Sequence, residues 1–191
     1  MKLIFTALLF SACALAQPSA KPPSFASEFE GQLRMIESEI VPLVEAMPTD
    51  KINFAPNTGE FKGVRTFAEQ AKHVAAVNYL VAAAAKGEAV PVDIGKDEKG
   101  PDSIKTREQV AKFLKDSYAY ARSVAQTITA ENAMQPMKSP FGNGQMAKSS
   151  ALSVAVWHSF DHYGQMVVYA RMNGIVPPAS RPAPPPPPAK K

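Results

Sequence analysis

Three times along this chain a hydroxyl residue stands three positions ahead of a glutamate or glutamine, at the head of an apolar stripe with helical spacing. The pairs are Ser27 with Glu30, Thr66 with Glu69, and Thr106 with Gln109. In each, the hydroxyl accepts from one free amide of the first turn and the longer side chain reaches back to another, so the pattern marks a helix start. The first predicted helix runs from about Ser27 and carries Phe29, Leu33, Ile36, Ile40 and Leu43 on one face, with Pro42 expected to kink or shorten its last turns. The second runs from Thr66 to about Lys86, is stopped by Gly87, and aligns Gln70, His73, Val77 and Leu80. A third begins near Thr106 and aligns Val110, Phe113, Leu114, Ala121, Val124 and Ile128. The fourth starts near Ser149 or Ser150 and ends at Asn173-Gly174, a stop reinforced by Pro177. Four amphipathic helices must bury their stripes against one another, so the expected fold is all-α, a four-helix bundle over residues 25–176.

The ends of the chain read differently. Lys2, an apolar run from Leu3 to Phe10 and the triplet Ala14-Leu15-Ala16 form a secretory signal peptide over residues 1–16, with the mature chain expected to begin at Gln17. Phe10-Ser11-Ala12-Cys13 loosely resembles a lipobox, so lipoprotein anchoring at Cys13 is the weaker alternative. Export to the periplasm or beyond is expected. Cys13 is the only cysteine, and cleavage after Ala16 leaves none for disulfides or a catalytic thiol. Residues 177–191 contain Pro177, Pro178, Pro182 and the run Pro184 to Pro188, and are expected to form an extended proline-rich tail. No second long apolar stretch follows the leader, so no membrane span is expected.

About 150 residues remain between the ends, enough for one core. The formal charge of +4 becomes +3 when Lys2 leaves (4 − 1), and the basic residues are scattered, which argues against a nucleic-acid partner. Chemistry concentrates instead in three histidines. His158 and His162 lie four residues apart on the inner stripe of the fourth helix, with Leu152, Ala155, Gln165 and Tyr169. Both rings therefore project from one face. His73 lies on the inner stripe of the second helix, and face-to-face packing of the two helices would converge three nitrogen donors. Three donors are the protein-ligand count of an open catalytic zinc site, one short of a closed structural site. A hydrogen-bonded core pair or a solvated surface pair shares the same spacing, but two imidazoles in an apolar interior need something to donate to them, and a divalent cation does so. The segment His158-Ser159-Phe160-Asp161-His162 has serine where H-E-x-x-H has its general-base glutamate, which excludes a zincin protease.

These residues resemble the DinB-like superfamily of bacterial four-helix-bundle metalloproteins, related to bacillithiol- and mycothiol-dependent transferases. The resemblance spans roughly Phe25 to Arg181. It rests on Met47-Pro48, on Phe54-Ala55-Pro56, and on Thr66-Phe67-Ala68-Glu69-Gln70 leading to His73. It closes on His158, His162, Gly164 and Gln165, continuing to Tyr169, Arg171, Gly174 and Pro177-Pro178. The resemblance implies that His73, His158 and His162 are metal ligands, usually for zinc or nickel, with water in the remaining position. It implies no polymerase activity. Export sets this chain apart from the thiol-dependent relatives, whose cosubstrates belong to a reducing cytoplasm.

The expected function is thus an exported divalent-metal protein, a metal-dependent hydrolase or transferase acting on an unknown small molecule. The alternative is a non-catalytic metal- or ligand-binding envelope protein. Gln70, Asp161, Tyr163 and Gln165 are candidates to support the ligands, Asp161 being offset towards solvent. The Pro-, Gly-, Asn- and Met-rich segment from Met134 to Met146 is either a lid over the site or an ordinary connection, and the stretch from Gly87 to Lys105 shows no ligand pattern. Pairing of bundle faces into a homodimer is compatible with the sequence.

Overall fold

The computed structural model describes residues 22–182. The expected signal peptide and the run Pro184 to Pro188 lie outside them. Four helices dominate: α1 (Phe25–Ala46), α2 (Phe67–Lys86), α3 (Arg107–Ala125) and α4 (Lys148–Met172). A short antiparallel hairpin precedes α4, with β1 (Pro136–Lys138) paired to β2 (Gln145–Ala147). No helix among the described residues is long and apolar enough to cross a membrane.

The caps of α2 and α3 are those expected. Thr66 and Glu69 cap each other reciprocally, as do Thr106 and Gln109, and Gly87 closes α2 in the left-handed conformation. The cap of α1 is displaced by one turn. Ser24 and Ser27 form the reciprocal pair, and Glu30 ion-pairs with Arg34 instead. Serine at the third position serves because its hydroxyl reaches the Ser24 amide at 2.8 Å. The helix runs through Pro42 to Ala46. α4 begins at Lys148 with no side-chain cap. Its first amides are already paired, Lys148 with the Gln135 carbonyl and Ser149 with the Ala133 carbonyl, so the preceding hairpin does what a cap would do.

Each of α1 and α2 packs against both α3 and α4, so α1 and α2 stand diagonally across the bundle, as do α3 and α4. α3 runs antiparallel to α1, since Lys115 meets Glu45 and Arg122 meets Glu37. It runs parallel to α2, placing Ser117 beside Asn78. The order is up, down, down, up. This topology forces the connection between α2 and α3 to return the length of a 20-residue helix, about 30 Å. It does so along α2, where the Lys72 ammonium donates to the carbonyls of Pro101 and Ile104.

The predicted stripes of α1 and α3 are buried. α2 is buried over most of its circumference, because its many alanines let both neighbours approach closely, while Leu80 is only half-buried. On α4 the buried set is Leu152, Ala155, Ser159, His162, Met166 and Tyr169 with Ala151, Val154 and Ala170, whereas Gln165 is exposed. The start of the expected tail also departs from an extended chain. Pro177 is buried and Pro178–Ser180 form a 3-10 turn against α1. Apolar burial of the first prolines outweighs their preference for an extended, solvated backbone.

Candidate metal centre

His73 stands in the second turn of α2, and His158 and His162 stand on successive turns of α4. Because these helices are neighbours in antiparallel register, the three rings meet edge to face. His158 Nε2 lies 3.2 Å from His73 Nε2 and 3.1 Å from His162 Nε2. One ligand atom from each ring falls within 4.8 Å of the others, a group that could hold a metal ion. Nitrogens bound tetrahedrally to one zinc at about 2.05 Å stand about 3.3 Å apart, so the spacing suits a shared cation.

Hydrogen bonding decides which nitrogens face inward. His73 Nδ1 lies 2.7 Å from the Glu98 carbonyl oxygen. A carbonyl only accepts, so Nδ1 carries the proton and Nε2 presents its lone pair. His162 is set by a longer route. The Asp161 carboxylate, an acceptor, takes the Gln165 amide N–H at 3.2 Å, and the Gln165 oxygen takes the Gln70 N–H at 2.9 Å. The Gln70 oxygen then accepts from His162 Nδ1. Because the carboxylate fixes the direction of every bond in this relay, His162 Nε2 also presents a lone pair. His158 Nδ1 is buried with no partner. A single proton on His158 Nε2 can satisfy only one of the two lone pairs facing it, whereas a cation at the common vertex satisfies all three.

The electrostatics favour neutral rings. Burial chiefly, then the neighbouring His162 and His73, push His158 down to about 3. Burial, then His73, bring His162 down to about 4, against the opposing Asp161 carboxylate. His73 is also lowered, again mainly by burial, with the Glu98 carbonyl opposing. Neutral imidazole is the metal-ligating form.

The three histidines predicted as ligands are thus brought together, and the candidates Gln70, Gln165 and Asp161 form one hydrogen-bonded chain that ends on His162. Asp161 is exposed, yet Gln165 ties it to the site. Tyr163 plays no such part: it packs on the core, where burial and Glu39 of α1 raise its hydroxyl. Nor is the segment from Met134 to Met146 a lid. Its hairpin lies against Ala84 and Gly87, at the opposite end of α2 from His73, about 16 Å along the helix. The contribution absent from the sequence reading comes from the Gly87 to Lys105 connection, whose Glu98 main chain anchors His73. Asp97 and Glu98 hold left-handed backbones there, at φ 53° and 52°. A main-chain ligand leaves no residue-type signature.

The DinB superfamily model matches residues 32–166, which include all three histidines and span most of the chain. This chain belongs to the DinB superfamily. Solved structures agree on the DinB fold. A DinB-like protein from Bacillus cereus ATCC 10987 superposes with a TM-score of 0.62 at 14% identity, covering 80% of this chain and 95% of that one. A DinB-like protein from Bacillus subtilis gives 0.58 at 18% identity, over 77% and 92%. No relative among curated proteins matches the chain in sequence.

Proposed function

We propose that this DinB protein binds one divalent metal ion, zinc or nickel, through His73, His158 and His162, and uses it on a small-molecule substrate. The observation that carries the reading is the pair of anchored Nδ1 atoms, which turns the Nε2 lone pairs of His73 and His162 towards His158 Nε2 at about 3 Å. When bound in such a site, the ion polarises a substrate oxygen or lowers the pKa of a bound water towards neutrality. The chain's own residues hold the ligands neutral and oriented, and three protein donors would leave one position of a four-coordinate ion for a substrate atom. Hydrolase and transferase chemistry both fit this arrangement. Export, read from the leader, directs the proposal away from cytosolic thiol cosubstrates.

A second reading is a non-catalytic metal or ligand binder of the envelope. It is favoured by the acid–base inventory: the nearest carboxylate relay, through Asp161, ends on the outer nitrogen of His162 rather than on its Nε2 side. Elemental analysis of the purified protein, beside a variant with His73, His158 and His162 all changed to Ala, tests the shared premise. Near one metal per chain in the first and none in the second is expected; no metal in the first after reconstitution with zinc or nickel would end both metal readings. Substrate turnover by the loaded protein then separates enzyme from binder.

A further inference from the structure

Over residues 157–172 the outward face of α4 is apolar. Trp157, Val168 and Met172 are each more than half exposed, and Phe160 more than a third. With Gly164 they fall within about 120° of arc at 3.6 residues per turn. Only Asp161, Gln165 and Arg171 interrupt the exposed positions of this stretch. α3 shows the usual outcome for a bundle helix, with Glu108, Lys112, Lys115 and Asp116 on its outer face. α1 and α2 pack α4 from within, and the exposure of the stripe shows that no described element covers it. A contiguous apolar surface of this kind marks a contact with another molecule.

Gly164 lies in the middle of the stripe. A Cβ added there would meet nothing within 4 Å, and its φ is not in the left-handed region, so neither packing nor backbone conformation of the single chain requires glycine. Glycine inside a helix is destabilising relative to alanine. A close approach from outside the chain accounts for it.

The stripe is complementary to itself when two copies pack antiparallel. In an isologous contact whose twofold axis passes at the level of Met166, a residue a given number of places before 166 meets the partner's residue as many places after it. Gly164 then receives the partner's Val168, and Phe160 lies beside the partner's Met172. The Asp161 carboxylate stands level with the partner's Arg171. The one acidic and the one basic side chain of the face are thereby matched twice, which a parallel arrangement would not do. Arg171 donates one N–H to the Ser180 hydroxyl, and a guanidinium has further donors for a carboxylate.

We infer that the outer face of α4 is a homodimer interface, two copies packing antiparallel about a twofold axis at Met166. The partner's Arg171 then holds the outer end of the relay that runs from Asp161 through Gln165 and Gln70 to His162, so each copy completes the surroundings of the other's triad. The inference needs no bound metal.

Sedimentation velocity of the full chain over a micromolar concentration series is the test, beside Gly164→Gln, Arg171→Glu and the charge exchange Asp161→Arg with Arg171→Asp. Trp157, the only tryptophan in the chain, reports on the face through iodide quenching, which should fall as the dimer forms. Gly164→Gln has open space in the single chain and a better helix former, so it should fold at least as stably as wild type while weakening the dimer by at least about tenfold. Arg171→Glu sets like charges level and should weaken it by at least about tenfold, and the charge exchange should return affinity to within about threefold of wild type. Circular dichroism establishes folding, and Gly164→Gln carries the comparison if the charge variants do not fold. A wild type that stays monomeric throughout the series would overturn the inference, whether Trp157 is open to iodide or shielded by another segment of its own chain. So would a dimer whose affinity none of the variants changes.

Discussion

Gln70 shows how much of this site depends on a residue that is not itself a ligand. It receives the His162 Nδ1–H and passes the polarity of the Asp161 carboxylate inward through Gln165. Gln70→Ala removes the acceptor, frees His162 to turn or to protonate the wrong nitrogen, and is expected to weaken metal binding by about 10- to 100-fold. Competition with a chelating dye measures this, and Gln70→Glu, which keeps an acceptor in place, should recover most of the loss. Unchanged affinity in Gln70→Ala would show that packing alone orients His162. At this scale the sequence was informative about side chains and silent about main chain. His73, His158, His162, Gln70 and Gln165 could be picked out by their shared helical stripes, while the Glu98 carbonyl carries no identity to read.

Among the elements, the return connection from α2 to α3 is the one whose shape the site uses. The 94–100 turn is closed by the Gly100 amide on the Ile94 carbonyl at 2.8 Å, and it presents the Glu98 carbonyl to His73. Gly95 has φ +71°, and a Cβ there would lie 2.2 Å from the Gly100 carbonyl oxygen. Gly95→Ala must therefore open the turn. We expect a loss of more than about 1 kcal/mol of stability, together with weaker metal binding because His73 loses its acceptor. Urea unfolding and metal titration of the same preparation check both; a variant with wild-type values in each would show that the turn does not align His73. Helix starts, by contrast, were legible wherever the cap is a local pair, as at Thr66 and Thr106. They were not legible where a distant backbone takes over, as at Lys148, or where a nearer serine outcompetes a glutamate, as at Ser27.

For the whole molecule, the buried His162 and the half-buried His73 and His158 couple folding to pH. Their folded values lie below the ordinary histidine value of 6.5, with His158 at about 3 and His162 at about 4, so between those limits the unfolded chain binds more protons than the folded one. Stability of the metal-free protein should therefore rise with pH up to about 6.5 and fall as the pH drops from there towards 4. Urea midpoints of metal-free protein between pH 4.5 and 7.5 measure the slope. Replacing all three histidines with Ala should flatten this histidine-linked part; an unchanged slope would assign the acid sensitivity to other groups.

Local physics in the sequence determined that there would be four helices, which faces α1 and α3 bury, and that three imidazoles would stand on the inner stripes of α2 and α4, because stripe period and cap chemistry involve residues within one or two turns of each other. The pairing of helices could not be read in that way. α1 and α2 are diagonal, α2 and α3 are parallel, and the long return this imposes carries Glu98 to His73 while leaving the Met134 to Met146 hairpin at the far end. Those are contacts between residues 25 to 92 positions apart. They are settled by which faces exclude water together, a property of the assembled bundle rather than of any segment in it.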